Sequence, residues 1–339
     1  MGAHAMAEID GNEAPELAPD SILAVIPTLN EERHIETCIR SLMSGDTWLT
    51  DVPLIVADGG SKDKTVEIVE RLKAEFPNLQ LMHNARKLQA AAINLAVSDA
   101  RPRYLVRCDA HSIYPAGFIK SVAKSLQATG AASVVIPMDA VGETCFERAN
   151  AWIVDTPLGS GGSAHRGGKT SGYVDHGHHA GFNIVMYRQI GGYDETFSHN
   201  EDAEYDERVA QAGGKIYLDA DIRIRYVPRG SVGRLAKQYF NYGKGRARNV
   251  RKHGQRLKMR QALPIFALLA STAGLVASPA FQPALILPLG YVGLLATASL
   301  AVAVWKRSAC GLLAGLISGT MHMSWAAGFL KEALSGTKP

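Results

Sequence analysis

Val52-Pro53-Leu54-Ile55-Val56-Ala57 runs directly into Asp58-Gly59-Gly60-Ser61 (VPLIVADGGS, residues 52–61), and this stretch decides the fold. The apolar run is too short for a helix and suits a strand buried on both faces, while Asp-Gly-Gly is turn chemistry. Ser61 then starts a helix whose apolar stripe is Val66, Val69, Leu72 and Phe76. The same unit recurs in both directions. Upstream, Ser21–Ile26 is a strand ended by Pro27. Asn30-Glu31-Glu32 opens the next helix, with Asn30 as cap and the acids at the positive end of its dipole. Ile35, Cys38, Ile39 and Leu42 line one face of that helix. Downstream come a strand at Leu79–His83, a helix at Gln89–Val97 and a strand at Tyr104–Cys108 that ends on Asp109-Ala110-His111. Pro115 leads a helix carrying Phe118, Val122 and Leu126, and Ser133–Pro137 is a further strand. Strands alternating with helices predict an α/β fold with right-handed βαβ units and a mostly parallel sheet. Ligands of such sheets bind beyond the carboxyl ends of the strands, where Asp58, Asp109 and His111 all fall.

Residues 156–181 change character: they are rich in Gly, Ser and His and read as a long mobile loop. Phe182–Tyr187 is strand-like, a helix spans about Asp202 to Ala212, and Lys215–Leu218 and Ile222–Val227 are short strands. Arg223 to Arg260 holds thirteen Lys or Arg and no acid. Such a run often meets nucleic acid, but here it abuts an apolar tail, which favours anionic lipid headgroups or phosphates and argues against nucleic acid. Residues 262–305 and 308–330 contain no Asp, Glu, Lys or Arg. As helix the first stretch is about 66 Å long, enough for two crossings of a ~30 Å hydrocarbon core, with the turn near Pro279 and Pro283. The second is long enough for one more, so three spans are expected, with the basic run inside. Alternatively Leu263–Ala277, which contains Pro264, lies in the interface. The four cysteines (Cys38, Cys108, Cys145, Cys310) show no CxxC spacing, which argues against a zinc ribbon or disulfide framework and fits a reducing compartment. Residues 1–20 are acidic and lack the apolar core of a signal peptide, and Met1–Ala5 has the look of a cloning remnant. The expected organisation is a disordered N-terminus at 1–20, a catalytic domain at 21–230, a basic amphipathic interfacial segment at 231–261 and membrane helices at 262–330.

Several polar groups carry possible chemistry, each with a plainer alternative. Asp109 and His111, two apart at a strand end, can reach one divalent cation; carboxylate plus imidazole suits Mn²⁺ or Mg²⁺ on a diphosphate. They also suit a turn. Asp58 can accept from a nucleobase N–H, or cap its own turn. Glu201-Asp202 can supply a general base, or only complement a helix dipole. Of the loop histidines His165, His176, His178 and His179, the last two can add a metal ligand or touch phosphate, or be solvated. Tyr239, Tyr242, Lys244 and Arg246 can hold a lipid-linked diphosphate, or anchor the chain at the interface.

The ordered set Ile26–Glu32, Ala57–Thr65, Ala85-Arg86-Lys87 through Asn94, Asp109-Ala110-His111, Ile190–Glu195 and Asn200-Glu201-Asp202 resembles the family 2 glycosyltransferases of the GT-A fold. It covers residues 21–230. The stretches Tyr217–Arg229 and Gln238–His253, followed by apolar spans, look most like the ExoA-like enzymes of exopolysaccharide assembly. The resemblance implies that Pro27, Thr28, Glu31 and Asp58 bind the nucleoside of a UDP-sugar, that Arg86 and Lys87 enclose the nucleotide, and that Asp109 touches both donor and metal. His111 stands where the family pattern has a second Asp. Asp202 would be the base, supported by Glu201, and His178, His179, Tyr242, Lys244 and Arg246 would meet the acceptor or its diphosphate. The implied reaction inverts the anomeric carbon, moving one sugar, glucose by expectation, to a polyprenyl-diphosphate-linked saccharide on the cytoplasmic face of a bacterial inner membrane. The Gln-x-x-Arg-Trp motif of processive synthases is absent (Gln238–Tyr242 does not match it), so a single transfer is expected. Competing readings are a polyprenyl-phosphate sugar synthase and a non-catalytic nucleotide-sugar sensor.

Overall fold

The computed structural model describes residues 16–45, 47–99, 101–159, 161 and 168–335. Most of the acidic N-terminus and His165 lie outside the described residues. The chain alternates as expected through β1 (Ile22–Thr28), α1 (Ile35–Leu42), β2 (Leu54–Asp58), α2 (Thr65–Leu72), β3 (Leu79–His83), α3 (Gln89–Val97), β4 (Tyr104–Arg107), α4 (Phe118–Thr129) and β5 (Ser133–Ile136). After β6 (Met138–Ala140) and α5 (Cys145–Val154) follow β7 (Gly172–Val174), β8 (His178–Asn183), α6 (Ile184–Gln189), α7 (Glu201–Gln211), β9 (Ile216–Leu218) and β10 (Ile224–Tyr226). The main sheet has the order β3-β2-β1-β4-β8-β5-β9-β7, and β6 pairs with β10 beside it. β3, β2, β1 and β4 are parallel, and β8 runs antiparallel between β4 and β5. Burial follows the strand period: Ile22, Ala24 and Ile26 pack into one core with Val56, Phe118 and Val122. Leu23 and Val25 pack into the other with Ile93, Phe182 and Tyr205. Both faces of β1 are covered, hence its unbroken apolar run.

Four local expectations are corrected. Asn30 does not cap a helix; it is left-handed (φ 56°) and α1 starts at Ile35. Ser61 likewise precedes α2, which begins at Thr65. In both places side chain-to-backbone bonds between neighbouring loops replace capping. Phe182–Tyr187 divides between β8 and α6, because Asn183 caps α6 by accepting from the Val185 and Met186 N–H groups. Residues 156–181 are not wholly loop, since they contribute β7 and the first residues of β8.

The basic segment forms one helix, α8 (Val232–His253), followed by α9 (Met259–Ala277), α10 (Ile286–Lys306) and α11 (Ala314–Leu334). Two stretches, Met259–Ala277 and Gln282–Lys306, are long and apolar enough to cross a membrane. They form a hairpin, with Gly274 against Ala284 and Pro288. The segment expected as a third span forms α11, which is not among these two stretches. α11 lies along α8, with Gly243 against the Trp325 carbonyl and Gly328 against the Phe240 carbonyl. Near its end the buried Glu332 accepts a 2.8 Å bond from Arg248 Nε, with Lys244 and Arg251 each 3.9 Å away. At its start, Cys310 is disulfide-bonded to Cys145 of α5. α11 is thus tied to the polar domain and α8 at its ends, and it packs on α10 through Gly315 and Gly319. The disulfide runs against the expectation, drawn from the absence of CxxC spacing, of no disulfide framework and a reducing compartment. Its partners are 165 residues apart in sequence, a juxtaposition that spacing does not reveal, and Cys38 and Cys108 remain free and buried.

Candidate active site

The loop after β1 and the loop after β2 are sewn together by backbone-to-side-chain bonds. Asn30 N–H donates to Ser61 Oγ and Lys62 N–H to Asn30 Oδ1, both at 2.8 Å. Glu31 N–H donates to Thr65 Oγ1 at 2.8 Å and Glu32 N–H to Asp63 Oδ2 at 3.1 Å. Gly59 lets this layer close on a third loop, because a Cβ there would stand 3.3 Å from Lys87 Cα. The result is a cleft at the carboxyl end of β1 and β4 lined by Pro27, Thr28, Glu31, Lys87, Asp109 and His111.

Two of the expected nucleotide contacts are differently occupied. Asp58 is buried, and its carboxylate accepts from Gly60 N–H (2.8 Å), Ser61 N–H (3.0 Å) and the Ser61 hydroxyl (2.5 Å), so it organises its own turn. Arg86 turns to Glu195 in a 2.6 Å ion pair and is not among the lining residues. Glu195 also accepts from Asn94 Nδ2, which donates as well to the Tyr193 carbonyl. Gly192 (φ 68°) permits that approach, since a Cβ there would stand 2.5 Å from Asn94 Oδ1.

The second half of the site is built around Arg107, the last residue of β4, whose side chain is only 2% exposed. Its Nη1–H donates to Asp202 Oδ1 at 2.8 Å and to Tyr193 OH at 3.0 Å. Tyr193 OH in turn donates to the same Asp202 oxygen at 2.5 Å. Arg107 Nη2 lies 3.4 Å from His178 Nδ1, and His178 Nε2 lies 3.4 Å from Asp109 Oδ2. β8 runs antiparallel beside β4, so His178 lies at the Asp109 end of that strand. Asp109 and Asp202, 93 residues apart in sequence, thus share one buried cation.

Electrostatics separates the acids. Burial pushes Asp202 up, but Arg107, His179, His178 and the Tyr193 hydroxyl outweigh it and hold the carboxyl well below its ordinary value. Burial and the adjacent Asp202 push Glu201 the other way, to about 7. Asp109 is raised by burial and lowered further by Arg107, His178 and His111, with a net fall. The neighbouring Glu31 carboxylate, 3.7 Å from His111 Nδ1, raises His111 against the opposing effect of burial.

Among the described residues no three His, Cys, Asp or Glu side chains converge on one point. A cage made by protein alone is therefore not present there. One carboxylate and one largely exposed imidazole on the same cleft do fit a hard or borderline cation whose other ligands are diphosphate oxygens and water.

The expected acceptor group is dispersed. His178 faces the site. His179 does not: it is fully buried, bonded through Nε2 to Asp206 Oδ1 at 2.7 Å and packed on Phe182 and Tyr205. Strand alternation sends adjacent histidines to opposite faces. Lys244 is turned toward Glu332 and away from the site. The Tyr242 carbonyl accepts from Asn200 Nδ2, holding α8 on the loop before α7. Arg246 donates to Gln255 Oε1 at 3.4 Å and has no ion pair among the described residues. Sequence reading missed Arg107. A cation inside an apolar strand, two residues before Asp109 and so on the same face, was the available signal.

Comparison with known proteins identifies the family and the fold. Residues 23–191 match the model of glycosyl transferase family 2. The succinoglycan biosynthesis protein ExoA of Rhizobium meliloti (strain 1021) is 41% identical over 325 residues, 94% of this chain and 97% of that protein. A Methanococcus voltae dolichyl N-acetyl-alpha-D-glucosaminyl phosphate 3-beta-D-2,3-diacetamido-2,3-dideoxy-beta-D-glucuronosyltransferase is 25% identical over 242 residues, 68% of this chain and 74% of that protein. Among solved structures, the mannosyltransferase PcManGT from Pyrobaculum calidifontis in complex with GDP-Man and Mn²⁺ superposes with a TM-score of 0.62 at 20% identity, covering 95% of this chain and 91% of that one. The fold is thus GT-A, with a mixed, mostly parallel sheet and a helical C-terminal region.

Proposed function

The chain belongs to glycosyl transferase family 2, and on that premise we propose that it moves one sugar from a UDP-sugar, glucose first among them, to a polyprenyl-diphosphate-linked saccharide in exopolysaccharide biosynthesis. The observation that carries this reading is the union of two half-sites: the Asp109–His111 cleft and the Asp202 carboxylate meet through Arg107.

In this mechanism Pro27, Thr28, Glu31 and Lys87 enclose the nucleotide, with Asp58 bracing the turn beneath them. Asp109 and His111 hold Mn²⁺ or Mg²⁺, which when bound screens the charge on the diphosphate. An acceptor hydroxyl attacks the anomeric carbon opposite the leaving group and loses its proton to Asp202. The bond from that carbon to the diphosphate oxygen breaks, and UDP departs with the electron pair. One displacement from an α-linked donor yields a β-glycoside. Glu201 does not take the proton. Its ionisation adds a negative charge beside Asp202 and makes Asp202 the better acceptor. The rate therefore rises with pH through about 7, where Glu201 titrates. In Glu201→Gln that rise is absent while most activity at pH 6 remains, as a pH–rate profile for kcat would read.

The α9–α10 hairpin is proposed to enter the cytoplasmic membrane with the catalytic domain on its cytoplasmic side. α8 and α11 would lie at the surface. Arg246 is proposed as the acceptor-phosphate contact, because it has no ion pair among the described residues and its guanidinium is a ready fork for a phosphate. Arg246→Gln should raise the KM for a lipid diphosphate acceptor about 10- to 100-fold, the loss of one or two charge-assisted bonds. Lys244→Gln should leave it unchanged.

The test of the reading is transfer of radiolabel from UDP-glucose into organic-extractable lipid by membranes bearing the protein, with Mn²⁺ or Mg²⁺ and with EDTA. Label on a multi-sugar lipid, lost with EDTA, supports the proposal. Label on a single-sugar lipid phosphate makes the protein a polyprenyl-phosphate sugar synthase instead. Nucleotide binding with no transfer from any donor would make it a sensor.

A further inference from the structure

We propose that Arg107 is a positioning residue that couples the two halves of the site: one buried guanidinium fixes the orientation of Asp202 and the ring tautomer of His178. Three observations carry this. First, the guanidinium has no room to move, being 2% exposed at the end of a central strand. Second, it and Tyr193 OH bind the same oxygen of Asp202, Oδ1. That leaves Oδ2 as the oxygen presented to an acceptor hydroxyl. Third, arginine only donates, so the His178 Nδ1 facing Nη2 at 3.4 Å must be the accepting nitrogen. In the neutral ring the proton is then on Nε2, which points at Asp109 Oδ2 across 3.4 Å.

The consequence is a division of labour. A metal-ligating histidine donates its second ring N–H to an acceptor, but here the second nitrogen faces a donor. His178 is thus set up as a hydrogen-bond donor beside Asp109, toward the carboxylate or a diphosphate oxygen, and not as a cation ligand. Arg107 Nε–H faces Asp109 Oδ1 at 3.8 Å, within ion-pair range but too far for a hydrogen bond, so the same cation biases the donor end as well. The charged and titratable groups around Asp202 are Arg107 at the end of β4, Asp109 just beyond it, Tyr193 from the turn after α6, His178 from β8, His179 on the opposite face of β8 acting only through its charge, and Glu201 on its own helix. Arg107 is the one fixed positive charge among them.

For its kinetic arm the inference rests on the glycosyl-transfer reading; its spectroscopic arm does not. The experiment compares wild type, Arg107→Gln and Arg107→Lys in detergent, each checked for an unchanged melting temperature and UDP binding. With ¹⁵N-labelled histidine, and His178 assigned by its loss in His178→Gln, wild type should show Nε2 protonated and Nδ1 bare. Arg107→Gln should show a mixture of tautomers. In the kinetic arm kcat should fall about 100-fold in both variants, the scale of a misplaced reacting group, with the donor KM within about twofold. The ratio of kcat at pH 6 to that at pH 8.5 should fall in Arg107→Gln, because Asp202 without its cation protonates at higher pH. Arg107→Lys should recover that ratio but not kcat, since one ammonium cannot span Asp202 and His178. A folded Arg107→Gln with the wild-type tautomer and a parallel pH profile would overturn the inference. If wild type transfers no sugar, the functional reading fails and the histidine spectra alone decide this one.

Discussion

Asp202→Asn is expected to lower kcat on the order of 10³-fold while leaving UDP binding intact. Among the described residues Asp202 makes no hydrogen bond to the nucleotide cleft; its hydrogen bonds come from Arg107 and Tyr193. The amide keeps the shape but cannot take a proton. Steady-state transfer kinetics paired with UDP titration calorimetry would separate the two effects. The size of the loss also distinguishes acceptors. A sugar hydroxyl must be deprotonated as it attacks, whereas a lipid phosphate is already ionised and needs no base. A loss of only a few-fold, in a folded protein with normal UDP affinity, would thus point to a phosphate acceptor.

Gly328→Leu in α11 should cost the protein its folded C-terminal module. The α8–α11 contact is backbone on backbone, with a Cβ at residue 328 meeting the Phe240 carbonyl at 2.0 Å and one at residue 243 meeting the Trp325 carbonyl at 2.0 Å. Overpacking typically costs about 1–3 kcal/mol, and that range describes side chains that can yield; here the obstacle is helix backbone, so the cost lies at or above its top. Separating the helices also unseats Glu332 from Arg248 and exposes the face carrying Met321 and Phe329. Detergent-solubilised Gly328→Leu should melt well below wild type and be cleaved by limited proteolysis between α10 and α11. Glycine-to-alanine at Gly290, which has open space where a Cβ would go, is the matched control and should leave both readings unchanged.

The α/β half of the molecule was legible because its strands are short apolar runs closed by turn residues, and period alone identifies them. β3 and α3 carry the same bounds in sequence and structure. What failed locally failed for one reason. Asn30 and Ser61 are good caps in isolation, but each found a partner across the loop pair 28–32 and 58–65, and no local pattern encodes that. The tail was legible in part. Its lack of charge shows in the sequence, but its packing does not: Gly315 and Gly319 meet α10, and Gly328 and Glu332 meet α8. In the candidate site, the cleft residues stood in recognisable segments, whereas Arg107 lay hidden inside a strand reading. His179 and Lys244 had suitable chemistry but face Asp206 and Glu332. Residue type was visible in the sequence, and side-chain direction came only with the partner elements.

The central claim is a single in-line displacement with Asp202 as base, and the anomeric configuration of the transferred sugar tests it most directly. The lipid product made from an α-linked UDP-sugar would be isolated and its new anomeric proton read by NMR coupling. A β-linkage is the predicted result. An α-linkage would contradict the account, since retention requires either two displacements or attack from the leaving-group side, and neither uses Asp202 as described.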